Sequence, residues 1–421
     1  MVARALLALS AVAAIVLGSL AVASRLSPED SDLIRNDFTQ DYVSAKAWSE
    51  GRDPYARTSD LATRYLGEER ATIVKALGEQ PNPHTPAAIV IARPLSTVPY
   101  DIARAGWVIL TAVLFVVSVA LVGRELGWSW VRSLSVGMGT LALPVVQLDL
   151  TYVQWNAPML LLIVVGWRLL KRGHDLPAGA LFGIAAAIKL YPALLFVALL
   201  AMRRWRAAGG MVAVATIVTG GGMAAIGVDA SRRFLDIASS NFGYWRSAPM
   251  NLSISAAPYR WLTDSVWRPD APHLPALAAI LSLAVLVGGA YALYRTPARA
   301  SGDIILAALP WTVLLAPLSW PLTPVLAIPT MLVMVARSHA ERGMPHPVLL
   351  VAIAVIVAPI PGLPHGAGTP VLTLIFGHGL ATIALLVVAV KEWRRPRAST
   401  SSDIVIDLSG DPELVDAPAL S

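Results

Sequence analysis

The chain has 421 residues, of which 56% are apolar and 14% charged, and its formal net charge is +6. With a mean hydropathy of +0.62, it is too poor in charge for a mostly wetted surface and too apolar for disorder. The absence of cysteine removes disulfides, thiolate metal sites and cysteine nucleophiles, which leaves a polytopic membrane protein with its basic residues at membrane edges rather than on nucleic acid.

A membrane span needs about 20 mostly apolar residues. The first apolar run, 3–23, is too long for a typical signal-peptide core and reads as an uncleaved first helix. Further runs follow at 105–122, 133–148, 156–170, 177–202, 210–228, 274–294, 304–318, 322–336, 347–361 and 371–390. Lysine and arginine cluster at 124–132, 171–172, 203–206, 295–299, 337–342 and 391–397, which orients those loops toward the cytoplasm. The run 177–202 has basic clusters on both flanks, so both its ends lie on one side. It predicts two short helices meeting at Lys189-Leu190-Tyr191-Pro192, where proline removes a backbone donor and restricts the residue before it.

Counting that hairpin as two predicts an all-α bundle of about 12 transmembrane helices, multi-pass in the plasma membrane with both termini cytoplasmic. Segments 24–104 and 229–272 then fall together on the extracytoplasmic side. Within the first, 40–50 and 59–77 read as amphipathic helices lying on the membrane surface. One domain covers 1–397, and the Ser-rich, acidic segment 398–421 predicts a disordered cytoplasmic tail. No internal repeat is found.

Several residues do not suit a passive bundle. Asp37 opens an amphipathic run and reads either as a helix cap or as a reactive acid, with Asp41 and Tyr42 close behind it. Asn82-Pro83-His84-Thr85-Pro86 is an ordered loop or re-entrant entry, where His84 is either an interfacial residue or a site residue. Gln154 and Asn156 flank Trp155; the tryptophan suits an aromatic belt, while the amides suit sugar hydroxyls. Lys189, between two half-helices, costs about 2.5–3.5 kcal/mol to insert, so it is either a snorkelling lysine or a charge that holds an anionic headgroup. Arg246 lies among aromatics and amides that include Asn251, and Trp320 marks a Pro-rich turn near the same side. Arginine there could bind a phosphate and stack a sugar, or pack at the membrane interface. Asp37, His84, Gln154, Asn156, Lys189 and Arg246 converge on one face. No carboxylate cluster demands a metal, although Asp37 and Asp41 could share one ion.

In this order the segments resemble the polyprenol-phosphate-mannose-dependent mannosyltransferases, glycosyltransferase family 87 of the GT-C fold. The resemblance rests on Asp37-Phe38 through Tyr55, on Asn82 to Pro86 with Arg93-Pro94-Leu95, and on Val153-Gln154-Trp155-Asn156 for a Gly-Gln-Trp-Asn motif. Its most specific part is the Ala-rich helix with Lys189-Leu190-Tyr191-Pro192 and the arginines at 203–206, followed by Trp245-Arg246-Ser247 and Leu318-Ser319-Trp320. The chain departs at Asp41, where the family has tyrosine, and at Pro321-Leu322-Thr323, where it often has histidine.

The resemblance implies a GT-C-like bundle that moves a sugar, mannose first, from a polyprenyl-phosphate donor to a cell-envelope glycan or glycolipid acceptor, with inversion and without a cofactor. It implies Asp37 as general base and Lys189 and Arg246 as donor-phosphate ligands. It implies Asp41, Tyr42, His84, Gln154, Asn156, Tyr191, Asn251 and Trp320 as substrate-binding residues. An arabinofuranosyl or other pentosyl transferase, a lipid-linked sugar flippase or transporter, and a non-catalytic scaffold are the alternatives.

Overall fold

Lipid cannot hydrogen-bond a bare backbone, and every regular element described is helical, as that constraint demands. The computed structural model describes residues 2–26, 37–76, 80–248, 250–295 and 303–357. The chain begins with α1 (Val2–Leu26), α2 (Asp37–Ser49), α3 (Thr58–Leu66), α4 (Glu68–Ala76) and α5 (Pro86–Ala92), then a 3-10 turn, Arg93–Thr97. The long α6 (Tyr100–Glu125) leads to α7 (Trp130–Thr140), α8 (Pro144–Thr151), α9 (Asn156–Lys171) and α10 (Asp175–Ile188). After a 3-10 turn at Tyr191–Leu194 come α11 (Leu195–Ala201), α12 (Trp205–Ile226), α13 (Val228–Trp245), α14 (Ala257–Leu262) and α15 (Pro275–Tyr294). Then α16 (Ile304–Leu315), a 3-10 turn at Thr323–Ala327, α17 (Ile328–Arg342) and α18 (Pro347–Val357) complete the described part.

Among the described residues, four helices are long and apolar enough to cross a membrane: Ala8–Leu26 within α1, then α6, α12 and α15. A fifth is added if α7 and α8, bent by 69° at their junction, count as one span. Several of the apolar runs behind the expected count of about 12 break into shorter helices at prolines, at Pro144, Pro192 and Pro324 among them. The run 371–390 and the tail 398–421 lie outside the described residues.

The reversal expected at Lys189 is present. Gly179 faces Ala207 and Gly183 faces Met211, so α10 and α12 run parallel and α11 returns the chain between them. An added methyl on Gly183 would lie 2.6 Å from the Met211 carbonyl oxygen, and one on Gly179 would overlap that of Ala207. This Gly-x-x-x-Gly face therefore lets two helices touch through their backbones, the usual way to pack helices where lipid removes the hydrophobic drive. Asp175 and Arg204, 3.1 Å apart, close the base of the hairpin and leave Lys189 at its tip.

The expectation of a surface helix at 40–50 is corrected. Phe38, Thr39, Asp41, Tyr42, Val43, Ser44, Ala45 and Ala47 are all buried, so α2 is enclosed by protein rather than laid on lipid. Its polar side chains find partners on several neighbouring elements, and a helix satisfied on every side has no need of a single apolar face. Phe38, Tyr42, Tyr100 and Trp107 interlock α2 with the start of α6, and the Thr39 and Tyr100 hydroxyls hydrogen-bond at 2.7 Å. The second long segment, 229–272, contains most of the 18-residue α13, followed by the short α14.

Candidate active site

Three chain reversals bring the polar residues together. Asp37 is the first residue of α2, and its backbone N–H donates to the Tyr152 carbonyl at 3.1 Å. Just beyond, Val153 has a φ of 50°, in the left-handed region that β-branched residues seldom adopt. Glycine suits that conformation, which gives a physical reason for the first position of a Gly-Gln-Trp-Asn motif. The tight turn aims Gln154 and Trp155 back at α2. On the other side, Thr85 caps α5 by accepting from the Ala88 N–H, and its hydroxyl donates to the Ala187 and Ile188 carbonyls at 2.9 and 3.2 Å. One threonine thus ties the His84 loop to the end of α10, next to Lys189.

The resulting network is continuous. Lys189 donates to the Gln154 side-chain carbonyl at 2.5 Å, and the Gln154 amide donates to the Asp37 carboxylate at 2.5 Å. The His84 Nε2 lies 3.4 Å from the same Asp37 oxygen, and its Nδ1 lies 2.8 Å from Asp41. Asp41 also accepts from Asn82 at 3.1 Å and from the Trp155 indole at 2.7 Å. The two carboxylates differ in access: the Asp37 side chain is 28% exposed and that of Asp41 only 2%. Asp41 is sealed behind His84, while Asp37 retains a face toward solvent.

Electrostatics follow from these partners. Burial alone would raise the Asp37 pKa, but the His84 hydrogen bond and charge, the Lys189 ammonium and the Gln154 amide outweigh it and hold the carboxyl at about 2. Burial alone would discharge His84, yet the Asp41 carboxylate and hydrogen bonds to both acids lift it to about 9. At neutral pH the cluster is therefore an ionised Asp37 beside an imidazolium, with a lysine one amide away.

The other expected residues separate into three groups. Asn156 and Tyr191 form a second chain of their own: the Tyr191 hydroxyl donates to the Asn156 side-chain carbonyl, and the Asn156 amide donates to Asp149 at 2.6 Å. Arg246, Asn251 and Trp320 form a separate patch. Arg246 sits 4.1 Å over the Tyr259 ring, and Trp320 packs edge-on to Trp245 at 5.2 Å. Asn251 is buried and uses its side chain on the Pro317 carbonyl and the Ser253 and Ser319 N–H groups. It locks the loop onto the turn before Trp320. Tyr42 donates to the Val98 carbonyl at 2.8 Å and belongs to the aromatic seam. Among the described residues, no group of three or more acid or histidine side chains is placed to hold a metal ion.

Asp149 escaped the sequence reading. It is 2% exposed on α8, one residue past the end of the apolar run 133–148. An acid in so apolar a stretch, seven residues before Asn156, was the available signal.

The fold and this cluster together define a helical membrane protein whose acid, imidazole and lysine groups are gathered at one end of its bundle. The model of glycosyltransferase family 87 matches residues 83–321. The chain belongs to that family, a GT-C membrane family. The match contains His84, Gln154, Asn156, Lys189 and Tyr191, whereas Asp37 and Asp41 precede it. A polyprenol-phosphate-mannose-dependent alpha-(1-2)-phosphatidylinositol pentamannoside mannosyltransferase of Mycobacterium tuberculosis (strain CDC 1551 / Oshkosh) is 27% identical over 267 residues. That alignment covers 62% of this chain and 60% of the relative's own length. No solved structure matches the chain.

Proposed function

We propose that this glycosyltransferase moves mannose from a polyprenyl-phosphate donor to a glycan or glycolipid acceptor on the extracytoplasmic side of the plasma membrane, inverting the anomeric carbon. The carrying observation is the partly exposed Asp37 carboxylate, linked through Gln154 to Lys189. Asp37 takes the proton of the acceptor hydroxyl as the new C–O bond forms at the anomeric carbon. The bond from that carbon to the phosphate oxygen breaks on the opposite face, and its electron pair leaves with the polyprenyl phosphate. Lys189, at a hairpin tip, meets the charge developing on that phosphate. His84 and Asp41 orient Asp37 and keep it ionised, so the proton acceptor is ready before the acceptor arrives. Arg246, with Trp320, flanks the lipid end of the donor from the neighbouring patch.

Two supports lie outside the cluster. The relative of known donor uses polyprenol-phosphate-mannose, as its name states. The basic residues Arg124, Arg168, Lys171 and Arg172 gather at the ends of α6 and α9 opposite Asp37, the pattern of a cytoplasmic face.

The test is transfer of label from polyprenyl-phosphate-mannose in membranes carrying the wild type or Asp37→Asn. The amide keeps the shape and removes the base, so turnover should fall at least about 10²-fold while donor affinity stays close to wild type. Normal turnover in Asp37→Asn would reject the base assignment.

A further inference from the structure

The mechanism above leaves one buried acid unused. Asp149 is 2% exposed and Asn156 is fully enclosed, while Tyr191, at the far end of their chain of hydrogen bonds, is half-buried. Asp149 is therefore the buried end of the chain, and Tyr191 is the end nearer the surface. Tyr191 also stands two residues from Lys189 on the same hairpin tip.

The chain also has a direction. The Asn156 amide turns its NH2 end to Asp149, whose carboxyl oxygen accepts from it at 2.6 Å. That leaves the amide oxygen facing the other way, where it accepts the Tyr191 proton. A phenol that has given its proton to the protein presents only lone pairs to its surroundings. A phosphate oxygen, itself an acceptor, gains nothing from such a group. A hydroxyl does.

We infer that Asp149 is a specificity-determining positioning residue, which through Asn156 holds the Tyr191 oxygen as a hydrogen-bond acceptor for a hydroxyl of the transferred sugar. Lys189 and Tyr191 then divide the donor between them, the ammonium for the phosphate and the phenol for the sugar. This inference rests on the polyprenyl-phosphate-sugar reading and goes beyond it, because it assigns a hydroxyl donor to one named oxygen.

The experiment compares kcat/KM for polyprenyl-phosphate-mannose and its monodeoxy analogues, in wild type, Tyr191→Phe, Asp149→Leu and the double variant. In the wild type one deoxy analogue should lose roughly tenfold against the parent sugar, the scale of one lost hydrogen bond. Tyr191→Phe should lower the parent rate by a similar factor and treat that analogue and the parent alike. Asp149→Leu should reproduce this loss of discrimination, because nothing then keeps the Asn156 amide from turning. The double variant should be no worse than either single one, since both remove the same contact.

A merely structural role for Asp149 predicts lower melting temperature with the discrimination intact, and penalties that multiply in the double variant; either result overturns the inference. If Asp149→Leu does not fold, Asp149→Asn keeps the shape but lets the facing amide turn either way, so an undiminished preference there overturns it as well. Failure of the wild type to transfer mannose at all would reject the functional reading, and this inference with it. Transfer with unchanged discrimination in the Asp149 variants rejects this inference alone.

Discussion

At one end of the bundle two carboxylates share a single imidazole; at the other, three cations share a single carboxylate. Asp37 and Asp41 flank His84, and their remaining side-chain links run through neutral donors, the amides of Gln154 and Asn82 and the Trp155 indole. About 39 Å along α6, by the 1.5 Å rise per residue, Glu125 accepts from Arg168 and Arg172 at 2.7 Å and from Lys171 at 3.2 Å. No amide mediates those pairs, and the cations lie near the C-terminus of α9, where the helix dipole favours them. The contrast separates two uses of buried charge. Directional bonds through amides hold the Asp37 carboxylate in place without quenching it, whereas direct ion pairs neutralise a helix terminus and leave nothing reactive.

The widest expected difference between the two ends is in their response to pH. His84 is lifted from 6.5 to about 9, so the stability it contributes is complete below pH 6.5 and is lost as pH rises through 9. Asp37 is lowered from 3.8 to about 2, so its contribution is present above pH 3.8 and is lost as pH falls through 2. Both contributions are full only between about pH 4 and 6.5. Stability on the order of 3 kcal/mol should therefore be lost from pH 6.5 to 9, read as a declining wild-type melting temperature in detergent. His84→Gln keeps a hydrogen-bonding side chain without the charge, and its melting should be flat over that interval. A parallel decline in the variant would move the alkaline sensitivity elsewhere.

Glu125→Gln sharpens the comparison from the other end. Its side chain is 13% exposed and faces three cations, so neutralising it leaves charges unpaired. Stability should drop by about 1–3 kcal/mol, read as a lower melting temperature, while kcat/KM for donor stays within about twofold. A large fall in kcat/KM with unchanged melting would show that the two ends are coupled, and that the ion-paired end does more than hold helices together.

How much of this was legible beforehand depended on whether a residue's meaning was local. Lys189 stands out because its charge is costly within an apolar run, Asp37, His84 and Gln154 stand out by the polar and Pro-rich residues around them, and Pro192 announces the reversal that α10 and α11 make. Asp41 was visible as an acid, but its sealing behind His84 and Trp155 depends on three segments meeting. Asp149 lies just past the end of an apolar run, and its burial on α8, beyond a 69° bend, depends on more than its immediate neighbours in sequence. The burial of α2 was equally hidden, since a helix with partners on all sides has no periodicity to reveal them. Arg246 lay in a convincing motif, yet its contacts are the Phe242 and Tyr259 rings, a patch apart from the carboxylates.

The smallest effect expected tests whether the reactive end depends on a single tie. Thr85 stands between His84 and α5, and its hydroxyl reaches the two carbonyls that precede Lys189. Thr85→Val has nearly the same shape but neither the cap nor the cross-link. Losing a threonine cap costs about 1 kcal/mol, so the melting temperature should fall only slightly. Because His84 and Lys189 each adjoin a bonded residue, their spacing should loosen together, raising the donor KM by roughly 2- to 5-fold, less than one full hydrogen bond to a charged group. Thr85→Ser restores the hydroxyl and should return both quantities to wild type. A donor KM that is unchanged in Thr85→Val would mean that Gln154 alone keeps Lys189 in register with Asp37, and the hairpin tip would then be held from the turn before α9 rather than from the His84 loop.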